Sequence, residues 1–233
     1  SAASDVYKRQ IARSSIMKYK CLILDHDDTA VDSTRYIHYP SFVAALKELR
    51  PEAPVLTLNE FVNYCFNPGF NKLCTDIIKF TPEEQSRQQE IWRQYNRERI
   101  AKFFPGFPEL IKQFKEQGGI ITVVSHSESA MVKSDYMRAC GFEPDAVYGW
   151  ELGKDKIKPN PYPVLQILNH FRLQPKEALI LDDSRLGLEM ANKCNVPFAA
   201  AGWSPKNLTI QKWMRENSPL YFDHLNKLVR YIE

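Results

Sequence analysis

Five short runs along the chain are apolar with little alternation: YKCLIL (19 to 24), GGIITVVS (118 to 125), DAVYGW (145 to 150), EALILD (177 to 182) and VPFAAAG (196 to 202). Runs of this length without a polar face predict strands buried on both sides, as in a parallel sheet covered by helices. Between them, apolar residues recur at helical spacing in FPELIKQFKEQ, SESAMVKSDYMRACG, PYPVLQILNHF and SRLGLEMANKC. Strand and helix in alternation predict a doubly wound, Rossmann-like α/β core.

From Thr34 to Phe104 this rhythm breaks. No buried-strand pattern occurs there, and SFVAALKELR, LTLNEFVNYCF and TPEEQSRQQEIWRQYNRERIAKFF all read as helices. The last opens with Thr81 as cap, Pro82 at the first helical position and two Glu behind it. A helical block directly after the first strand predicts an all-helical cap domain, residues 33–104, inserted into a core of residues 17–32 and 105–233. Its boundaries are expected near Ser33 and Pro105-Gly106, where turn residues cluster. The basic run with Arg93, Arg97, Arg99 and Lys102 reads as a solvated helix face, with attraction of an anionic substrate as the alternative. Residues 1–16 have no apolar segment of a secretory signal and only the composition of a transit peptide; they read as a disordered or non-native extension, with Met17 the expected start.

Composition narrows the picture modestly. In 233 residues the formal net charge is +3, too small for a general nucleic-acid or membrane partner. The apolar runs fall short of the roughly 20 residues of a membrane helix. Five cysteines, Cys21, Cys65, Cys74, Cys140 and Cys194, contain no CxxC pair and read as reduced thiols, hence a cytoplasmic protein. Oligomeric state is not legible.

The chemistry concentrates in CLILDHDDTAVDS, where an apolar strand ends in Asp25, Asp27 and Asp28. Like charges this close require counter-charges. In an open parallel sheet, ligands bind beyond the carboxyl ends of the strands. Asp25, Ser125 and the pair Asp182-Asp183 each end an expected strand, and Lys158 lies in the connection after the third. A carboxylate can attack phosphorus if its charge is offset, and a hard divalent cation held by oxygens does so. Lys158 adds a fixed positive charge and the Ser125 hydroxyl a hydrogen-bond donor. The bland alternatives are turn or helix-capping roles for the aspartates and Ser125, and a surface position for Lys158.

Asp25-His26-Asp27-Asp28-Thr29 resembles the DxDxT motif of the haloacid dehalogenase superfamily. Ser125 in IITVVSHS, Lys158 in KPNPYPVL and the acids of LILDDSRLG follow in that superfamily's order, and the flanks are similar to its phosphatase and phosphomutase branch. The resemblance implies Asp25 as nucleophile and Mg2+ ligand, and Asp27 as general acid and base with its backbone carbonyl on the metal. It implies Thr29 orienting Asp27, Ser125 holding the phosphate and Lys158 neutralising charge, with Asp183 a direct metal ligand and Asp182 direct or through water. His26 reads as structural, since its side chain leaves the strand on the other side. The branch usually has Gly where Asp28 stands and Asn where His126 stands; Asp tolerates the left-handed backbone such a turn needs.

What the resemblance implies overall is a Mg2+-dependent phosphatase acting on a small phosphomonoester, such as phosphoglycolate or a sugar phosphate, through an aspartyl-phosphate. Asp27 argues against a dehalogenase or a phosphonate hydrolase. The alternatives are a sugar phosphomutase and a catalytically silent binding module. The mutases carry a histidine after the first motif, and His38 falls one residue out of that register. Substrate contacts are expected from Ser125, His126, Lys158 and the cap loop NPGFNK, in particular Asn67 and Lys72, with Arg35, Tyr36 and His38 near the hinge.

Overall fold

The computed structural model describes residues 17–233, and the extension read at residues 1–16 lies outside the described residues. The first strand, β1 (Cys21–Leu24), is buried along its whole length. After it the chain forms a two-residue strand, β2 (Val31–Asp32), and enters a helical segment with α1 (Tyr39–Leu49), α2 (Leu58–Phe66) and α3 (Pro82–Glu98). It leaves through β3 (Lys102–Phe103), which pairs antiparallel with β2 and closes a narrow neck. The remaining chain runs α4 (Phe107–Glu116), β4 (Ile120–Val124), α5 (Ser129–Cys140), β5 (Ala146–Tyr148), α6 (Tyr162–His170), β6 (Ala178–Asp182) and α7 (Arg185–Cys194). It ends with β7 (Phe198–Ala201), α8 (Leu208–Asn217), β8 (Leu220–Phe222) and α9 (Leu225–Ile232).

Six strands form one parallel sheet in the order β5-β4-β1-β6-β7-β8. Side chains alternate across its faces, as the strand period requires. Leu22 and Leu24 point into a core with Phe107, Ile111, Val132 and Tyr136, whereas Cys21 and Ile23 meet Val164, Ile167, Leu188 and Met214 on the other side. Both faces are thus covered, which is why these strands read as continuous apolar runs.

The helical cap has a third core of its own, built on Phe42, Leu46, Phe61, Leu73, Cys74 and Phe80. Its helix starts follow the sequence: Thr57 and Thr81 each cap a helix with a reciprocal Glu three residues on, and Pro82 takes the first turn. Helix α2 sits on the core, with Val62 inside the second apolar cluster and the Phe66 ring 5.4 Å from that of Trp213.

Two differences from the sequence reading stand out. The neck strands and β8 were not expected; each has two or three residues and partial burial, too little pattern to register. The basic run is not uniformly solvated, because Arg93 turns inward and pairs with Glu128 of the core at 2.6 Å, while Arg97, Arg99 and Lys102 are exposed. All five cysteines are free, and Cys21, Cys74, Cys140 and Cys194 are buried. No helix among the described residues is long and apolar enough to cross a membrane.

Candidate active site

The topology changes direction at the crevice between β1 and β6. From β1 the chain proceeds, through the cap, toward β4 and β5; from β6 it proceeds the opposite way to β7 and β8. Loops diverge there and leave a cleft at the carboxyl ends. Asp25 follows β1, Ser125 follows β4, Asp182 is the last residue of β6 and Lys158 lies between β5 and α6. All four are buried, as is Asp183.

Oxygen atoms of Asp25, Asp182 and Asp183 lie within 4.8 Å of one another. The Lys158 ammonium bridges two of them, 2.6 Å from Asp25 Oδ1 and 2.7 Å from Asp182 Oδ2. Burial opposes the charged lysine, but Asp182 and Asp25 outweigh it and raise its pKa. Burial also pushes the Asp25 carboxyl well above the usual range, against the pull of Lys158 and with the repulsion of Asp182, Asp183 and Asp27. Asp182 Oδ1 accepts from the Ser184 backbone at 2.8 Å and hydroxyl at 2.6 Å. Ser184, not Asp183, caps α7, so the acids are free of that structural duty. Gly187 allows the close approach: a Cβ there would lie 2.2 Å from Asp182 Cγ.

A second ammonium stands beside the cluster, since Lys206 Nζ is 2.7 Å from Asp28 Oδ2 and 3.0 Å from Asp183 Oδ2. Four buried carboxylates, those of Asp25, Asp28, Asp182 and Asp183, therefore share two ammonium groups. With all four ionised the excess is two negative charges, and the donors are all oxygen, which fits one hard divalent cation.

Asp27 is held differently. Its Oδ1 accepts from Ser33 Oγ at 2.8 Å and lies 2.7 Å from His38 Nε2; its Oδ2 accepts from Ser127 Oγ at 2.6 Å and from Ser125 Oγ at 3.3 Å. The Trp92 indole N–H donates to His38 Nδ1 at 2.8 Å. An indole can donate only to an unprotonated ring nitrogen, so His38 is the Nε2–H tautomer here and donates to Asp27. The hydrogen bonds that Asp27 accepts from Ser33, Ser127 and His38 offset the burial of its anion.

Several expected residues are placed otherwise. The Thr29 hydroxyl donates to Asp25 Oδ2 at 2.8 Å, not to Asp27, whose orientation comes from Ser33, Ser127 and His38 instead. The His126 imidazole lies 3.0 Å from the Lys158 carbonyl and, since a carbonyl only accepts, donates to it, which makes His126 a support of Lys158. Asn67 and Lys72 are exposed and make no hydrogen bond to the cluster; what the loop brings near the site is Gly69, packed toward Leu186 of α7. His26 is buried, 3.0 Å from Asp135 and beside Phe103 and Tyr136, as a structural residue would be. Asp28 has φ 60, within the left-handed region.

Residues the sequence reading missed are Ser33, Ser127, Trp92, Ser204 and Lys206. Lys206 was the most accessible of these, because it follows the strand β7 whose carboxyl end opens on the same cleft.

Comparisons with known proteins place the chain in a family. Residues 22–201 match the family model described as haloacid dehalogenase-like hydrolase. A phosphoglycolate phosphatase of Aquifex aeolicus is 26% identical over 197 residues, 82% of this chain and 89% of that protein. A Haemophilus somnus structure described as a predicted phosphoglycolate phosphatase superposes with a TM-score of 0.74 at 21% identity, over 93% of this chain and 99% of that one. CbbY from Rhodobacter sphaeroides, solved with phosphate, superposes with a TM-score of 0.72 at 17% identity, over 90% of this chain and 96% of that one. Those structural likenesses carry the fold, and the family model spans most of the chain: the protein belongs to the haloacid dehalogenase-like hydrolases.

Proposed function

We propose that the protein is a Mg2+-dependent phosphatase that hydrolyses a small phosphomonoester through an aspartyl-phosphate on Asp25. The observation that carries this reading is the contrast between Asp25, inside a charge-deficient oxygen cluster, and Asp27, an anion held by neutral donors at the same strand end. Bound at Asp25, Asp182 and Asp183, Mg2+ would neutralise charge on the nucleophile and the phosphoryl group. Asp25 attacks phosphorus while Lys158 and Ser125 hold phosphoryl oxygens. Asp27 takes up a proton as the anionic substrate binds beside it, gives that proton to the leaving oxygen and then, as the carboxylate, takes one from the water that cleaves the phospho-enzyme. Residues 33–104 act as the cap that covers the cleft and excludes bulk water. The activity of the Aquifex relative makes phosphoglycolate the first substrate to try, and free thiols suit a reducing compartment such as the cytoplasm.

The test is turnover of a panel of small phosphomonoesters, phosphoglycolate included, with Mg2+ and with chelator, for wild type and Asp25→Asn. Metal-dependent phosphate release that Asp25→Asn abolishes supports the reading, whereas equal activity in the variant refutes it. A silent binding module would keep its ligand affinity in Asp25→Asn and release no phosphate in either form.

A second reading, phosphomutase, is favoured by one contact. His38 reaches Asp27 although it lies one residue out of the expected register, and Thr34–His38 forms a π-helical turn. Such a turn is a usual way to absorb a single inserted residue. Conversion of a sugar 1-phosphate to its isomer without phosphate release would select this reading.

A further inference from the structure

The loop between β7 and α8 belongs to none of the recognised motifs, yet its side chains reach separate parts of the site. Trp203 Nε1 donates to the Thr29 carbonyl at 3.0 Å, and Ser204 Oγ donates to Asp183 Oδ2 at 3.0 Å. Lys206 spans Asp28 and Asp183 at 2.7 and 3.0 Å. Asn207 Nδ2 reaches Asn59 Oδ1 at 2.8 Å and Asn63 Oδ1 at 2.7 Å on cap helix α2.

Asp28 is the partner that makes sense of Lys206. Its Oδ1 accepts from the backbone of Ser33 at 3.3 Å and of Thr34 at 3.0 Å, where the chain enters the cap, and its Oδ2 takes the ammonium. An uncompensated carboxylate at this depth would repel the other acids, and an uncompensated ammonium would repel a cation.

We propose that Lys206 and Asp28 form a matched charge pair that sets the affinity of the neighbouring carboxylates for a divalent cation. Lys206 holds Asp183 Oδ2 in the metal-free protein and yields it when the cation binds; Asp28 keeps the ammonium from turning wholly onto Asp183. Lys206 is thus a positioning residue for Asp183. The inference rests on the reading of Asp25, Asp182 and Asp183 as the Mg2+ site.

The experiment is calorimetric Mg2+ binding to the substrate-free chain, for wild type, Lys206→Met, Lys206→Arg, Asp28→Asn and the double variant Lys206→Met/Asp28→Asn. A unit charge acts on a divalent ion a few ångströms away strongly enough to change its binding by roughly tenfold. Lys206→Met is expected to bind Mg2+ roughly tenfold more tightly, and Asp28→Asn more weakly by a similar factor. The double variant should return to within about threefold of wild type, because contacting residues are not additive. Lys206→Arg, which keeps the charge, should bind as wild type does. A residue that merely braces the loop would weaken binding when lost, so tighter binding separates the two roles.

Weaker or unchanged binding in Lys206→Met overturns the proposal. If that variant does not fold, Asp28→Asn decides, and binding as tight as wild type or tighter overturns it. Wild type that binds no Mg2+ removes the parent reading as well; wild type that binds it, beside variants that do not shift, removes this inference alone.

Discussion

Asp25 and Asp27 leave the same strand end two residues apart, yet their surroundings differ in kind. Asp25 belongs to a cluster of buried carboxylates restrained by two ammonium groups, all supplied by the sheet's own loops. Asp27 is restrained by hydroxyls and a neutral imidazole, and two of those supports, Ser33 and His38, come from the hinge, with Trp92 of the cap behind them. Full counter-charges are needed where a dianionic group is to be held and attacked, because hydroxyls cannot offset several like charges in a buried cleft. Hydrogen-bond donors suffice where one carboxylate must exchange a proton, and they leave it free to do so. The arrangement also ties Asp27, and not Asp25, to the position of the cap.

Removing the charge on the first side should have the largest effect. Lys158→Met leaves Asp25 and Asp182 buried without their cation, a class of change that costs about 3–5 kcal/mol. Denaturant unfolding should show that loss without metal and a smaller one with Mg2+, which replaces part of the missing charge; an equal loss in both would break the comparison. Turnover should fall by roughly a factor of 1000.

Acid should act through the same side. Burial first, and then the charge of Lys158, lower the His126 pKa from 6.5 to about 4. Between those values the unfolded chain binds a proton that the native chain does not, so stability is full above pH 6.5 and falls as pH drops toward about 4. The loss should reach about 3 kcal/mol, measured by urea unfolding across that range. His126→Asn should flatten the slope, and a slope unchanged by it would contradict the assignment.

Gly187→Ala should cost about 1–3 kcal/mol, because its methyl must displace either α7 or the Asp182 carboxylate. The variant should also need more Mg2+ for half-maximal turnover. On the Asp27 side, Ser127→Ala should cost only about 1 kcal/mol of stability. It should nevertheless lower turnover and move the acid limb of the pH–rate profile to higher pH, since one of the donors that stabilise the Asp27 anion is gone. Arg93→Ala, which breaks the cap's pair with Glu128, should change stability by less than about 1 kcal/mol, because Arg93 is partly exposed.

The sequence made the sheet legible because buried parallel strands leave unbroken apolar runs, and capped helices leave Thr-Pro-Glu starts such as that at Thr81. It located Asp25, Ser125 and the Asp182-Asp183 pair because those residues stand at strand ends, which pattern can find, and Lys158 from its Lys-Pro-x-Pro context in the connection after the third strand. It did not reveal who holds whom. Thr29 follows both Asp25 and Asp27 in sequence, and its bond to the more distant Asp25 is settled by the turn at Asp28 and not by spacing. Ser127 and Trp92 act across separations that leave no local signal. The cap loop was read from its turn residues, and Asn67 and Lys72 there face solvent while Gly69 faces the core.

The most direct measurement is to trap the phospho-enzyme: mix the protein with Mg2+ and a 32P-labelled phosphomonoester that it turns over, quench in acid within one turnover, and map the label by peptide mass spectrometry. Label released by hydroxylamine, as an acyl phosphate is, and carried on Asp25 is the expected result. Turnover with no covalent label, or label on any other residue, would contradict the assignment of Asp25 as nucleophile.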